Sequence, residues 1–156
     1  MENSDNFDIG AVEITAMKTE HLEQVFEIER GSFSSPWSYK ELLREITENN
    51  MAVYIVALYE GNVVGYAGLW HIITEGHITN VAVKEEYRGR GVGRLIMRRL
   101  IEAARERAMT GVTLEVRVSN QNAQRMYTSL GFKPEGFRKA YYDDTKEDAV
   151  IMWKYM

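Results

Sequence analysis

The sequence predicts an α/β fold, a mixed and mostly antiparallel sheet flanked by about four helices. Three observations predict it. Apolar residues recur at helical spacing around Leu22, Leu42, Leu100 and Met126. The segments between them alternate apolar and polar residues or form short β-rich runs. Short glycine-containing turns join several of those runs directly, and turns of that length connect antiparallel neighbours. The resulting order, β-α-α-β-β-β-α-β-α-β-β, is not a regular βαβ repeat.

Each element has a local reason. Val12 to Met17 alternates and predicts a short strand. Thr19 is placed to cap a helix whose buried face is Leu22, Val25 and Phe26, with Glu29 at the same spacing. Gly31 to Trp37 predicts a loop carrying two exposed aromatics, Phe33 and Trp37. Ser38 caps a second helix through Leu42, Leu43 and Ile46, which Asn49-Asn50 stops. A hairpin follows: Ala52 to Tyr59, a turn at Glu60-Gly61-Asn62, and a return through Ile73. Glu75-Gly76 predicts a further turn into His77 to Val83. Val92 to Ala108 reads as a helix ended by Gly111, which opens a strand through Val118. Asn120 to Leu130 is helical, with Gly131 as its C-terminal stop. Phe132 to Tyr142 and Asp148 to Tyr155 predict a last pair of strands.

The composition bounds the function. The 156 residues fit one domain, expected over 11–156 behind a flexible tail at 1–10. No run of about 18 apolar residues predicts a membrane span. The start, MENSDNFDIG, lacks the basic and apolar regions of a signal peptide. There is no cysteine, hence no disulfide, thiolate metal site or cysteine nucleophile, and the composition suits the cytoplasm. A net charge of -4 argues against nonspecific nucleic-acid binding. His21, His71 and His77 lack metal-ligand spacing, so no metal is expected.

Arg88-Gly89-Arg90-Gly91-Val92-Gly93-Arg94 lies between a strand and a helix start. Glycines let successive N–H groups converge, the helix N-terminus adds partial positive charge, and three arginines add formal charge. Together these suit a pyrophosphate. A kinase-type phosphate loop needs Gly-Lys-Ser/Thr, which is missing. A dinucleotide fingerprint needs glycine three residues after Gly91, where Arg94 stands. A tight turn with solvated arginines is the plain alternative.

Two downstream residues suit acyl transfer. Glu115 sits mid-strand, sharing a face with Thr113 and Arg117, opposite Leu114, Val116 and Val118. An attacking amine must lose a proton, and an α-amino group has a pKa near ~8, so a partly buried carboxylate can serve as base. A carboxylate paired with Arg117 or another cation on a solvated face remains the competing reading. Tyr127 lies on the stripe Ala123, Met126, Tyr127, Leu130 and can donate a proton to a leaving thiolate, or simply fill the core.

Val81-Ala82-Val83 followed by Arg88-Gly-Arg-Gly-Val-Gly93 resembles the signature of the GCN5-related N-acetyltransferases (GNAT), Gln/Arg-x-x-Gly-x-Gly/Ala, which Arg88, Gly91 and Gly93 match. The resemblance runs from the Val12 strand to Met156. It implies a GNAT-like fold with a sheet that splays where cofactor enters. It also implies that the backbone of Val81 to Val83 binds the pantetheine arm and acetyl carbonyl of acetyl-CoA, and that Gly89 to Arg94 surround its pyrophosphate. Three further blocks are similar to the RimI-type ribosomal-protein alanine N-acetyltransferases: Leu114 to Asn120, Met126 to Phe132, and Ala140-Tyr141-Tyr142 leading to Glu147 to Met152.

That likeness implies Glu115 as general base, Tyr127 as general acid and Asn120 as a cofactor ligand; Asn120 can equally cap a helix. Phe33, Pro36 and Trp37 match its acceptor loop, although Ser34-Ser35 lengthens the gap, and Tyr141 and Tyr142 match its paired tyrosines. For these the alternative is packing, of Trp37 on the first two helices and of one tyrosine on the sheet. The resemblance implies the N-terminal alanine of a small-subunit ribosomal protein as acceptor, and direct attack on acetyl-CoA is expected, by a cytoplasmic monomer or weak dimer. Acetylation of a small amine, such as a polyamine or aminoglycoside, and noncatalytic coenzyme A binding remain open alternatives.

Overall fold

In the computed structural model, which describes residues 6–156, the elements follow the expected order. They are β1 (Glu13–Ala16), α1 (Leu22–Ser32), α2 (Tyr39–Thr47), β2 (Ala52–Tyr59), β3 (Asn62–Ile72), β4 (Glu75–Val83), α3 (Val92–Glu106), β5 (Gly111–Arg117), α4 (Gln121–Ser129), β6 (Lys133–Arg138) and β7 (Ala149–Tyr155). They form one seven-stranded sheet in the order β1-β2-β3-β4-β5-β7-β6. Every neighbouring pair is antiparallel except β4–β5. The mixed, mostly antiparallel α/β architecture is therefore the one the sequence implies.

The sheet separates two apolar layers. On β2, Val53, Ile55 and Ala57 join the layer under α3, while Tyr54 and Val56 join the layer under α1 and α2. That is the period-two alternation of a strand buried on both faces. The α3 layer is built on Val92, Ile96, Met97 and Leu100, and takes in Tyr127 and Phe132 beside α4. The α1 layer holds Leu22, Val25 and Leu42 against Tyr66 and Ala82.

The alternation breaks once on β4, and this matters for the site. Ile78 packs in the α3 layer, but Ala82, an even four residues on, packs in the α1 layer. The pairing explains it: Leu69 opposes Ile78 and Gly68 opposes Asn80, so Thr79 is an extra residue in a β-bulge. Gly68 sits opposite this bulge under the Tyr54 ring, and a Cβ at that position would overlap the ring. Gly68→Ala is therefore expected to destabilise the fold by about 1–3 kcal/mol, measured by denaturant unfolding. An unchanged midpoint would mean that the ring moves freely aside.

Several boundaries differ from the sequence expectation. The tail expected through residue 10 is anchored at Phe7, while Asp8 to Gly10 are exposed. The Phe7 ring lies 4.7 Å from Tyr59 and 5.4 Å from Tyr87, and residues 1–5 fall outside the described residues. Thr19 does not cap α1. It opens a 3-10 turn, Thr19–His21, whose preceding Lys18 N–H donates to His21 Nδ1 at 3.0 Å. Glu75-Gly76 is strand, not turn. The reversal falls on Ile73-Thr74, and Gly76 is small because a Cβ there would lie 2.8 Å from Met109 Sδ. Helix α3 ends at Glu106, with Ala108 in the left-handed region, so Gly111 opens β5 rather than ending the helix. Strand β6 stops at Arg138, and Tyr141 and Tyr142 lie in the loop before β7. Ala140 turns the chain there at a φ of 50°, held by its N–H donating to Asp148 Oδ1 at 2.9 Å.

Candidate active site

The site begins where two parallel strands part. β4 and β5 pair only through Glu75–Gly111, Gly76–Val112 and His77–Thr113. Beyond that point Val81 to Val83 and Glu115 to Arg117 have no mutual register, although both remain paired on their other sides, to β3 and β7. The expected splay is thus present, and it separates the Val81–Val83 backbone from Glu115.

At the wide end of the gap stands the glycine turn. Gly89 and Gly91 have φ of 75° and 92°, a conformation that side chains disfavour, and Gly91 is the N-cap of α3. The first N–H groups of α3 therefore have no partners within the helix and converge at its positive end. Gly93 differs. Its added Cβ would find only ordinary contacts at 3.6 Å, with Met126 Sδ and Val83 Cγ2. Among the described residues, no side chain packed on α3 requires glycine at position 93.

The three arginines of the turn are engaged by the protein. Arg88 Nε donates to the Val83 carbonyl at 2.9 Å, and Nη2 to Ser32 Oγ at 3.3 Å. Arg94 Nη2 donates to Ser129 Oγ at 2.6 Å, tying α3 to α4. The Arg90 guanidinium lies 5.6 Å from the Phe7 ring centre. They brace the turn while keeping its positive charge in place.

Glu115 lies on β5 just past the point of separation, with its side chain about one quarter exposed at 24%. Its partner is Arg138 of β6, Nε to Oε2 at 3.0 Å, rather than Arg117. Arg117 is occupied by the β6–β7 loop. It donates to both oxygens of Asp144, at 3.0 and 2.9 Å, reaches Glu147 at 3.5 Å, and stands 4.0 Å over the Tyr142 ring. The Arg117 hydrogen bonds hold the Asp144 carboxyl down at about 2. Tyr141 and Tyr142 meet edge to face at 5.1 Å. Burial pushes the Tyr142 phenol up to about 12, against the opposing effect of the Arg117 guanidinium over its ring.

Tyr127 is buried at 9% exposure, with its ring 5.8 Å from Phe132. Its hydroxyl makes no hydrogen bond to a described residue, and burial alone raises it to about 12. The phenol therefore stays protonated well past neutral pH. Asn120 is the N-cap of α4: Oδ1 accepts the Ala123 N–H at 3.2 Å, and Nδ2 donates to no described residue.

Phe33 and Trp37 are not the exposed aromatics the sequence suggests. Both are half-buried against the α1 layer, and the Trp37 indole lies 6.5 Å from Trp70. Pro36 is exposed. The loop folds inward because the Trp37 N–H donates to Glu29 Oε2 at 2.9 Å. Glu29 was legible only as a charged residue on the Leu22–Val25 stripe. Tyr66 and Asn80, which also donate to it, carried no local signal. Among the described residues, no group of three His, Cys, Asp or Glu side chains could hold a metal ion.

Known proteins match this arrangement. The sequence pattern of the acetyltransferase (GNAT) family matches residues 22–132, more than half of the chain. A Bacillus subtilis (strain 168) protein, provisionally named a ribosomal protein bS18-alanine N-acetyltransferase, is 43% identical over 137 residues, 88% of this chain and 91% of its own. The ribosomal protein bS18-alanine N-acetyltransferase of Escherichia coli (strain K12) is 31% identical over 141 residues, 89% of this chain and 94% of its own. The crystal structure of the ribosomal-protein-S18-alanine N-acetyltransferase from Escherichia coli superimposes with a TM-score of 0.84 at 29% identity, over 92% of this chain and 93% of that one. A splayed mixed sheet, a glycine turn capping α3 and a sequence match across both lead to one conclusion: the chain belongs to the GNAT family of acetyltransferases, enzymes that take their acetyl group from acetyl-CoA.

Proposed function

We propose that this enzyme acetylates the N-terminal α-amine of a protein, with the terminal alanine of a small-subunit ribosomal protein as acceptor. The observation that carries the reaction chemistry is a pair of suited groups, a carboxylate just past the parting of the strands and a buried phenol. Glu115 lies on β5 just beyond the separation, and the buried Tyr127 hydroxyl has no hydrogen-bond partner among the described residues. The relatives named for bS18-alanine acetylation support the choice of acceptor.

The residues present fit acetyl-CoA. The N-terminus of α3, shaped by Gly89 and Gly91, suits a pyrophosphate. Close approach of a ligand gives a reason for glycine at position 93, where the described residues packed on α3 leave room for a side chain. Val81 to Val83 would hold the pantetheine arm and Asn120 Nδ2 would add a donor; Val92, whose side chain is buried in the α3 layer, and Arg94 would contribute through their backbone N–H groups in the first turn of α3. Bound acetyl-CoA supplies an electrophilic thioester carbonyl. Glu115 takes the proton from the acceptor ammonium, and the amine nitrogen forms the new amide bond. The backbone N–H near Val81 steadies the carbonyl oxygen as charge develops there. Tyr127 gives its proton to the departing sulfur, whose thiol pKa is near ~8.5. Phe33, Trp37, Tyr141 and Tyr142 line the acceptor side.

Among the described residues no helix is long and apolar enough to cross a membrane. A cytoplasmic monomer or weak dimer completes the proposal, consistent with a ribosomal acceptor.

The direct test is acetylation of N-terminal peptides that vary in their first two residues, read by mass spectrometry, beside a panel of polyamines and aminoglycosides. Preferred transfer to alanine-starting peptides supports the proposal. Transfer only to small amines would replace it, and absence of any product would leave a coenzyme A-binding protein. The cofactor half has its own test. Replacing Arg88, Arg90 and Arg94 with alanine is expected to weaken coenzyme A about tenfold or more, while pantetheine binding changes little. Equal loss for both ligands, measured by calorimetry, would argue that the arginines only brace the fold.

A further inference from the structure

We propose that Glu29 is a positioning residue of the acceptor site, fixing the Trp37 loop to the bulge of β4. This rests on the functional reading above. Glu29 is 2% exposed, on the face of α1 turned to the sheet. A carboxylate is stable at such depth only when its oxygens are well supplied with donors.

Three elements supply them. The Trp37 backbone N–H donates to Oε2 at 2.9 Å, and Oε1 accepts from the Tyr66 hydroxyl of β3 and from Asn80 Nδ2 of β4 at 3.2 Å. Asn80 follows the bulged Thr79 and directly precedes Val81. One carboxylate therefore sets the distance between the Trp37 loop and the start of the free β4 segment.

The network extends further. Thr79 Oγ1 donates to Asn80 Oδ1 at 2.8 Å, and the Tyr54 hydroxyl lies 3.3 Å from Thr79 Oγ1. Tyr54 donates in turn to Glu45 Oε1 at 2.9 Å, which also accepts the Trp70 indole N–H at 2.6 Å. Trp70 faces Trp37, so both tryptophans are held by carboxylates at the two ends of one chain of hydrogen bonds. Burial raises the Tyr54 and Tyr66 phenols far above their ordinary range, so both remain donors. A purely structural core would be served as well by apolar side chains of this size. A directional network instead defines where a loop stands.

Glu29→Gln keeps the shape but turns an amide N–H toward one of the donors, which then loses its acceptor. The expected result is a rise of about tenfold in KM for an alanine-starting peptide, with kcat within about twofold. The coenzyme A dissociation constant should not change. Tyr66→Phe removes one donor and leaves the carboxylate with two; it is expected to raise the peptide KM about threefold, and it carries the test if Glu29→Gln does not fold. An unchanged peptide KM in a folded variant would overturn the inference, as would parallel losses of peptide and coenzyme A affinity. Wild-type protein that acetylates no peptide overturns the functional reading and this inference with it. Wild-type activity with an unaltered variant KM overturns this inference alone.

Discussion

Glu115→Gln is expected to lower turnover by about 10²–10⁴-fold while coenzyme A still binds normally. The substitution preserves size and the β5 backbone, so the pairing with Ile151 of β7 survives. It removes the one carboxylate that β5 carries past the separation from β4. The cost to folding should be small. The Glu115–Arg138 pair is half exposed on the arginine side, at 54%, and pairs of that kind contribute little to stability. The decisive control is Arg138→Gln, which breaks the same 3.0 Å contact from the other side. If Glu115 is only the structural partner of Arg138, the two variants behave alike. If Glu115 is the base, only Glu115→Gln loses its rate, and the comparison is read from steady-state kinetics at saturating acetyl-CoA.

Tyr127→Phe is expected to slow turnover by about tenfold to a hundredfold without loss of stability. The ring would stay in place against Phe132, so the α3 layer keeps its packing. The hydroxyl that disappears is buried and has no partner among the described residues, and a polar group in that position costs free energy to keep. Thermal unfolding should therefore occur at the same temperature or slightly higher. Lower activity with equal or greater stability is the signature of a group kept for chemistry. Full activity in Tyr127→Phe would return the residue to the core. Because burial holds the phenol at about 12, the proton it donates is present throughout the neutral range.

The order of elements, the antiparallel hairpin at Glu60-Gly61 and the α4 stop at Gly131 were legible because each depends on neighbours in the chain. Glu60, Gly61 and Gly131 all adopt the positive φ their turns need, and Ser38 caps α2 through the Glu41 N–H at 3.1 Å. The glycine turn at Arg88 to Arg94 belongs with these, since glycine spacing and a helix start are local facts. The misread boundaries are those where a distant contact overrides the local preference. Gly76 looked like a turn residue, yet it is small to admit Met109 and Val112. Residues 6–10 looked like a tail, yet Phe7 has an aromatic nest between Tyr59 and Tyr87.

The candidate site divides along the same line. Local sequence determined which chemistries were available: an anion-binding turn, a mid-strand carboxylate at Glu115, a tyrosine at 127 and an asparagine able to cap α4. Only the tertiary structure decided their partners. Glu115 and Arg117 share a strand face, but the sheet order β5-β7-β6 brings Arg138 to Glu115, while the β6–β7 loop takes Arg117 with Asp144 and Glu147. The bulge at Thr79, the buried Glu29 with its donors from the Trp37 loop, β3 and β4, and the parting of β4 from β5 were likewise beyond local reading. The reason is physical. A backbone turn is set by residues a few bonds apart, whereas a buried charge finds its partners across tens of residues, and only the packed sheet brings them together.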